Sequence, residues 1–377
     1  MRSEDLNALS EPYTDLRVDI DRRFNSAIGA DVPSVTKLTE EIFNDLDEVS
    51  LGISWWRLLP DRERILVSDY LYQCVTGIEV NIAEAKLHLM EWTDVREQQN
   101  GRVADIVQRD ERGRPYVQVP SSVAPVDDLP NRLESLHICG FLRAIGSSLD
   151  CLGAVLIGVL GLVVPLRRCD IRKAEKALLK VQSTDAGSKL QADFAIFFED
   201  LKQTVGPLDW LEWADQYRNM YVHRGRRMTF SQIVPRKTTI FDAHGQIIPR
   251  TDTVLHLAKY PDRSEVEALV KGPHTTLNED AEVTLNGIFR SCRELQEHTC
   301  ENLIKVWGKR RNNPNLIQQP ISQWDINIRP CRFTGYEPNT PFNKGDFIIS
   351  NPIFHRRFVA ASIDDAHMRL WNSSPWD

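Results

Sequence analysis

The chain has 377 residues, 42% of them hydrophobic and 26% charged, with 46 Lys and Arg against 53 Asp and Glu for a formal net charge of -7. That balance supplies ample core material and excludes low-complexity disorder, a collagen-like repeat and a membrane bundle as descriptions of the whole. The mild acidity excludes a protein that coats nucleic acid or anionic membrane with its entire surface, and leaves room for a local basic site.

Residues 1–60 read as an N-terminal arm: a polar start, a short helix from about Ser34 to Val49, then Ser54-Trp55-Trp56 and a stop at Pro60. The first segment, with acidic residues where a secretory signal would carry an apolar run, gives no export signal, so a cytoplasmic location is expected. A helical bundle of at least four helices is predicted over 61–312. Its first helix starts at a capping Asp61, runs to about Glu97 and buries Leu71, Cys74, Val75, Ile78, Ile82, Ala85 and Leu89, which recur at helical spacing. Gly101 then breaks the pattern. Two β-like runs, Arg102 to Gln108 and Tyr116 to Val119, flank Asp110-Glu111-Arg112-Gly113 as a surface hairpin.

A second long helix opens at Asn131, passes through Leu136, Cys139, Leu142, Ile145 and Leu149, and ends near Pro165. Its last part, Cys151 to Leu166, is sixteen residues without a charge. A spanning helix needs about 20 apolar residues, so this stretch is expected in the core and not in a membrane. A basic helix (Asp170 to Val181) and a core helix (Ser188 to Val205, with Leu190, Phe194, Phe197, Phe198 and Leu201) lead to a stop at Gly206-Pro207. Asp209 with Glu212 forms the pattern of a capping box for a helix from Trp210 to about Arg224. A β insertion follows at about 227–262, with strands at Met228 to Val234, Thr238 to Asp242 and Thr253 to Tyr260 and a turn at His244-Gly245. The last helix, from about Asp280 to Arg311, buries Ile288, Phe289, Cys292, Leu295, Thr299, Leu303 and Val306. Residues 313–377 form an irregular tail with strands at Asp346 to Ser350 and Arg357 to Ser362. The fold class is therefore mainly α, a helical bundle carrying a β-hairpin-type insertion, with an arm before it and a tail after it.

Seven cysteines occur without a CxxC pair, which points to free thiols and a reducing compartment. No P-loop, GxGxxG, HExxH or GxSxG motif occurs and the histidines are dispersed, so neither a metal site nor a cofactor is expected. Chemistry is concentrated in the helix WLEWADQYRNMYVHRG. At about 100° per residue, Trp210, Trp213, Ala214, Tyr217 and Tyr221 share one arc and form a buried aromatic stripe. Asp215, Gln216, Arg218, Asn219 and His223 take the opposite side, with Asn219 and His223 one turn apart. An arginine, an amide and an imidazole together are able to grip a phosphate and move a proton near neutral pH. From Gln216 to Lys237 the chain holds six basic residues (Arg218, Arg224, Arg226, Arg227, Arg236, Lys237) and no acidic one. Further basic stretches lie at Arg167 to Lys180 and Lys305 to Arg311. An Arg-x4-His spacing also occurs at Arg132/His137 and Arg293/His298, but only Arg218/His223 has Asn after the Arg and a basic surround.

The segment Arg218-Asn219-Met220-Tyr221-Val222-His223 resembles the R-x4-6-H signature of HEPN domains, helical bundles that carry this motif near the end of one helix. The resemblance implies a metal-independent endoribonuclease of antiphage defence or toxin systems. In it Arg218, Asn219 and His223 would be catalytic, at a composite site completed across a homodimer. RNA is the implied substrate, with a regulatory or antitoxin protein as a further partner. Arg224, Arg226 and Arg227 would hold the RNA backbone, and Tyr221 would stack on a base if it stands outside the core. Gly225 occupies the place where HEPN toxins paired with a nucleotidyltransferase often have Tyr, so the likeness does not extend to that subgroup. The alternative is a non-catalytic interaction or assembly subunit in which Arg218 and His223 cap a helix C-terminus. A metal-dependent hydrolase ranks last, because only Asp215 offers a carboxylate nearby.

Overall fold

The computed structural model describes residues 23, 25–46, 61–106, 108–112, 115–116, 129–162, 164, 170–223, 229–241, 247–260, 276–313, 316 and 333–337. Over these the chain is mainly helical and forms a bundle. Helix α1, Pro33–Leu46, belongs to the expected arm, yet it sits in the common core with Leu38 and Ile42 buried. Polar bonds fix it to the end of the bundle. Ser34 Oγ donates to the Glu297 carbonyl at 2.7 Å, and Trp307 Nε1 donates to Asp45 at 2.7 Å.

Helix α2, Asp61–Ile106, buries all seven residues of its expected face. It does not stop at Glu97. The helix continues through Gly101, so Arg102 to Ile106, expected as a strand, is helical. A glycine inside a helix costs about 1 kcal/mol, and tertiary contacts on the preceding turns offset it: Arg96 pairs with Glu134 at 3.3 Å, and Gln99 donates to Asn131 at 3.2 Å. Among the described residues the surface hairpin pairs β1, Gln108–Arg109, antiparallel with β2, Pro115–Tyr116.

Helix α3, Leu129–Leu160, starts with Pro130 in its first turn, where a missing N–H costs nothing. It runs antiparallel to α2 as the bundle's central helix. The first part of the apolar run, from Cys151 to Leu160, lies within it, and the helix stops there and not near Pro165. It is long and apolar enough to cross a membrane by length and composition, and 78% of its most apolar window is buried inside the protein. Leu142, Ile145 and Leu149 are buried as expected, whereas Leu136 is exposed and Cys139 only half-buried. Leu136 precedes Ile138 by two positions, which puts it about 200° away from the buried face. The helix ends in a left-handed Gly161 (φ 65°), with Leu162 N–H returning to the Ile157 carbonyl at 3.0 Å. Buried side chains finish the cap. Gln191 donates to the Leu160 carbonyl at 2.7 Å, and Arg310 donates to that of Val159. A buried chain of hydrogen bonds from Gln296 to Ser148 (2.7 Å) and from Ser148 to the Ile78 carbonyl (2.8 Å) joins the last helix to α3 and α2.

Helix α4, Ile171–Leu178, is capped by Asp170, and α5, Ala186–Thr204, by Asp185 in a capping box with Ser188. In α5 Phe194, Phe198 and Leu201 are buried, while Leu190 and Phe197 are half-buried against the core. Helix α6, Trp210–Arg218, leads into a π-helical turn, Asn219–His223. Among the described residues the inserted β structure is an antiparallel pair, β3 (Thr229–Phe241) with β4 (Ile247–Leu257). The two strands expected at 228–242 are a single strand with an irregularity between Pro235 and Thr239, where a proline without an N–H interrupts the ladder. The hairpin docks on α2, whose Asn100 accepts from Thr253 N at 2.9 Å. The last helix, α7, Ala281–Asn312, is capped by Asp280 and buries every residue expected on its core face. The expected turn at His244-Gly245 and the strands at 346–350 and 357–362 lie outside the described residues.

Candidate functional site around Arg218

Gly206 and Pro207 turn the chain sharply between α5 and α6. A Cβ at Gly206 would stand 2.6 Å from Trp210 Cδ1 and 2.8 Å from Ser291 Oγ, so this close approach requires glycine. Asp209 does not form the expected capping box with Glu212. It adopts a left-handed conformation (φ 60°), and its side chain makes no cap hydrogen bond. The tight turn imposes that backbone; it is closed by Trp210 N–H to the Pro207 carbonyl at 3.1 Å. The helix is held instead by its aromatic stripe. Trp213 stacks on Tyr217 with ring centroids 4.7 Å apart, Tyr217 meets Tyr221 at 5.6 Å, and Trp210 Nε1 donates to the Lys202 carbonyl at 3.0 Å. Tyr217 and Tyr221 are 0% and 2% exposed, so Tyr221 is a core residue and does not stack on a base.

The helix expected to reach Arg224 stays α only to Arg218. Beyond it the backbone takes the wider i to i+5 winding, with Met220 and Tyr221 both buried. A 100° wheel no longer applies after Arg218, although positions 219 and 223, four apart, still stand close to one turn from each other in this wider winding. Single π-helical turns inside helices are frequent at functional sites.

Opposite the aromatic stripe, tertiary structure assembles a charged cluster. Arg218 Nη1 donates to Asp150 Oδ2 at 3.2 Å on α3, and its Nη2 lies 3.3 Å from Asp215 Oδ1 one turn earlier. Asn219 Nδ2 donates to Asp215 Oδ2 at 3.2 Å. Arg172, from α4, brings its Nη2 to 2.5 Å from the same oxygen. Gly146 makes the space: a Cβ there would overlap Cδ and Nη1 of Arg218. Burial pushes the Asp150 carboxyl above its usual range, against the opposing pull of Arg218. Two guanidiniums therefore meet two carboxylates in a formally neutral group. It remains reachable, because the Arg172 side chain is 43% exposed and that of Arg218 21%.

Arg218 and Asn219 thus come together as the sequence suggests. The backbone of His223 closes the π-helical turn, while its side chain and the whole of Arg224, Arg226 and Arg227 lie outside the described residues. Asp150, Gly146 and Arg172 were not foreseen as site residues. Only Arg172 carried a signal, its place in the basic stretch from Arg167 to Lys180. The other two Arg-x4-His pairs are dispersed to other duties: His137 Nδ1 meets His88 Nδ1 at 3.2 Å, His298 pairs with Glu301 at 3.0 Å, and Arg293 donates to the Gly29 carbonyl. Among the described residues no group of three or more His, Cys, Asp or Glu is placed to hold a metal ion. No protein-family model, curated protein or solved structure matches the chain.

Proposed function

We propose that the protein is a HEPN-like, metal-independent endoribonuclease of antiphage defence or toxin function, acting in the cytoplasm. The observation that carries this reading is the setting of Arg218. Its guanidinium bonds carboxylates on two helices, not the last carbonyls of its own helix, and it lies part-exposed where α6 passes into the π-helical turn. A helix cap would have the opposite geometry.

In the reaction, the RNA 2′-hydroxyl attacks the adjacent phosphorus and the bond to the 5′-oxygen breaks, leaving a 2′,3′-cyclic phosphate and a 5′-hydroxyl. His223 takes the proton from the attacking hydroxyl. A second imidazole, supplied by the same motif of a dimer partner, delivers one to the leaving oxygen. Arg218 stabilises charge on the phosphoryl oxygens and Asn219 orients the substrate or the imidazole. Arg224, Arg226 and Arg227 extend the grip along the backbone. Purified protein incubated with RNA in EDTA should release fragments ending in 2′,3′-cyclic phosphate. His223→Ala should abolish release at an unchanged melting temperature; cleavage that survives in this variant sinks the mechanism.

One observation favours the second reading, a non-catalytic interaction or assembly subunit: Arg218 already has two carboxylate partners. If those pairs serve the fold alone, Arg218→Ala lowers the melting temperature and changes no RNA-dependent signal.

A further inference from the structure

We propose that Arg172 and Arg218 form a paired-guanidinium site for the phosphate backbone of single-stranded RNA, and that Asp215 occupies it in the free protein as an internal stand-in for a phosphate. The proposal rests on the nuclease reading and adds a substrate-binding residue and an electrostatic gate to it. The two guanidiniums approach different oxygens of one carboxylate, Arg172 at Oδ2 (2.5 Å) and Arg218 at Oδ1 (3.3 Å). A phosphodiester offers the same feature, two non-bridging oxygens for planar N–H forks. Asp215 fills the place imperfectly. Arg172 Nη2 is close to it but makes no directed hydrogen bond, and Arg218 Nε is buried without a hydrogen-bond partner.

The surroundings suit an exchange of anions. Asp150 holds Arg218 from the other side, so the guanidinium keeps its orientation when Asp215 lets go. Asn219 donates to Asp215 and is able to retain the displaced carboxylate. Arg172 is the more exposed of the two arginines and is the first an incoming backbone meets. The group is formally neutral with Asp215 in place, so removing that one charge leaves a net positive site. The signs of the two effects are therefore opposite: losing Arg172 weakens RNA binding, whereas neutralising Asp215 strengthens it.

The test uses the full chain carrying His223→Ala, so that RNA survives, and reads the fluorescence anisotropy of a labelled unstructured RNA over a series of salt concentrations. Adding Arg172→Ala should weaken binding about three- to tenfold and reduce the slope of log K against log salt by about 0.7, the loss of one phosphate contact on a single strand. Arg172→Lys should keep the slope and lose part of the affinity, and Asp215→Asn should bind RNA more tightly than the parent. Unchanged affinity and slope in Arg172→Ala, or weaker binding by an Asp215→Asn that melts like the parent, overturns the proposal. Should Asp215→Asn melt lower, the two Arg172 variants decide. A parent that binds RNA normally while the Arg172 variants match it removes this site and leaves the nuclease reading standing. A parent that binds no RNA removes both.

Discussion

Arg218 Nη1 and Asp150 are 3.2 Å apart across a space that exists because position 146 has no side chain. Gly146→Ala would force the arginine aside, at a cost to stability of about 1–3 kcal/mol for overpacking. On the nuclease reading it also lowers cleavage about a hundredfold, the usual consequence of a misplacement near 1 Å. Denaturant titration and single-turnover cleavage measure the two effects separately. Asp150 carries a pH signature as well. Its folded carboxyl is raised above the ordinary value of 3.8 by burial, so between that value and the raised one the folded state holds more protons than the unfolded state. Stability from this group is therefore lost as pH rises through the interval. Relative to Asp150→Asn, the wild type should lose stability with rising pH over that window in urea titrations, and a difference that is flat or grows in the wild type's favour contradicts the burial of this charge. Sequence could place Arg218 and Asn219 on a polar face from the aromatic periodicity of Trp210, Trp213 and Tyr217. It could not name Asp150 or Arg172, because no spacing rule links residues on three helices.

At the scale of elements, long helices with a regular apolar face were legible and their ends were less so. Helices α2 and α7 bury every residue that periodicity chose, because a 3.6-residue repeat maps directly onto one face. Asp170 and Asp280 cap their helices as their positions suggest, whereas Asp209 does not, since the Gly206-Pro207 turn dictates its backbone. Gly101 illustrates the opposite error: a residue read as a break lies inside α2, because Arg96 and Gln99 have found partners on α3. Helix glycines also separate two kinds of position. Gly287, in the interior of α7, has nothing within 4 Å of an added Cβ, so Gly287→Ala should raise stability by about 1 kcal/mol, read as a shift of the urea midpoint at constant m. Gly146 and Gly153 also sit inside a helix, but an added Cβ would strike Arg218 in one case and the Asp170–Ile171 backbone in the other. The π-helical turn was invisible in advance, since its residues have no composition that distinguishes them from an α-helical end.

For the whole molecule, the helix of the expected arm proves to be a wall of the core. Asp45 binds Trp307 at 2.7 Å and Arg311 at 2.5 Å at one end of α1, while Ser34 meets Glu297 at the other. Asp45→Ala leaves a largely buried indole N–H and a part-buried guanidinium short of a partner. It should cost about 1–3 kcal/mol, measured by denaturant titration; a loss below about 0.5 kcal/mol would be that of an ordinary surface position. The apolar run from Cys151, expected in the core, belongs to a helix that is long and apolar enough to cross a membrane by length and composition, and 78% of that helix's most apolar window is buried inside the protein. Arg310 reaches the Val159 carbonyl at the helix's end, with burial drawing its pKa down to about 10. By itself the sequence determined the fold class, the main helical faces, the position of the β insertion and the Arg-Asn-x3-His segment, all of which are encoded by local period and composition. Only the tertiary structure decided that Arg218 is flanked by Asp150, Asp215 and Arg172, and that α1 belongs to the bundle. Those outcomes depend on which helix surfaces meet, and the burial and charge pairing that select them act between residues far apart in the chain.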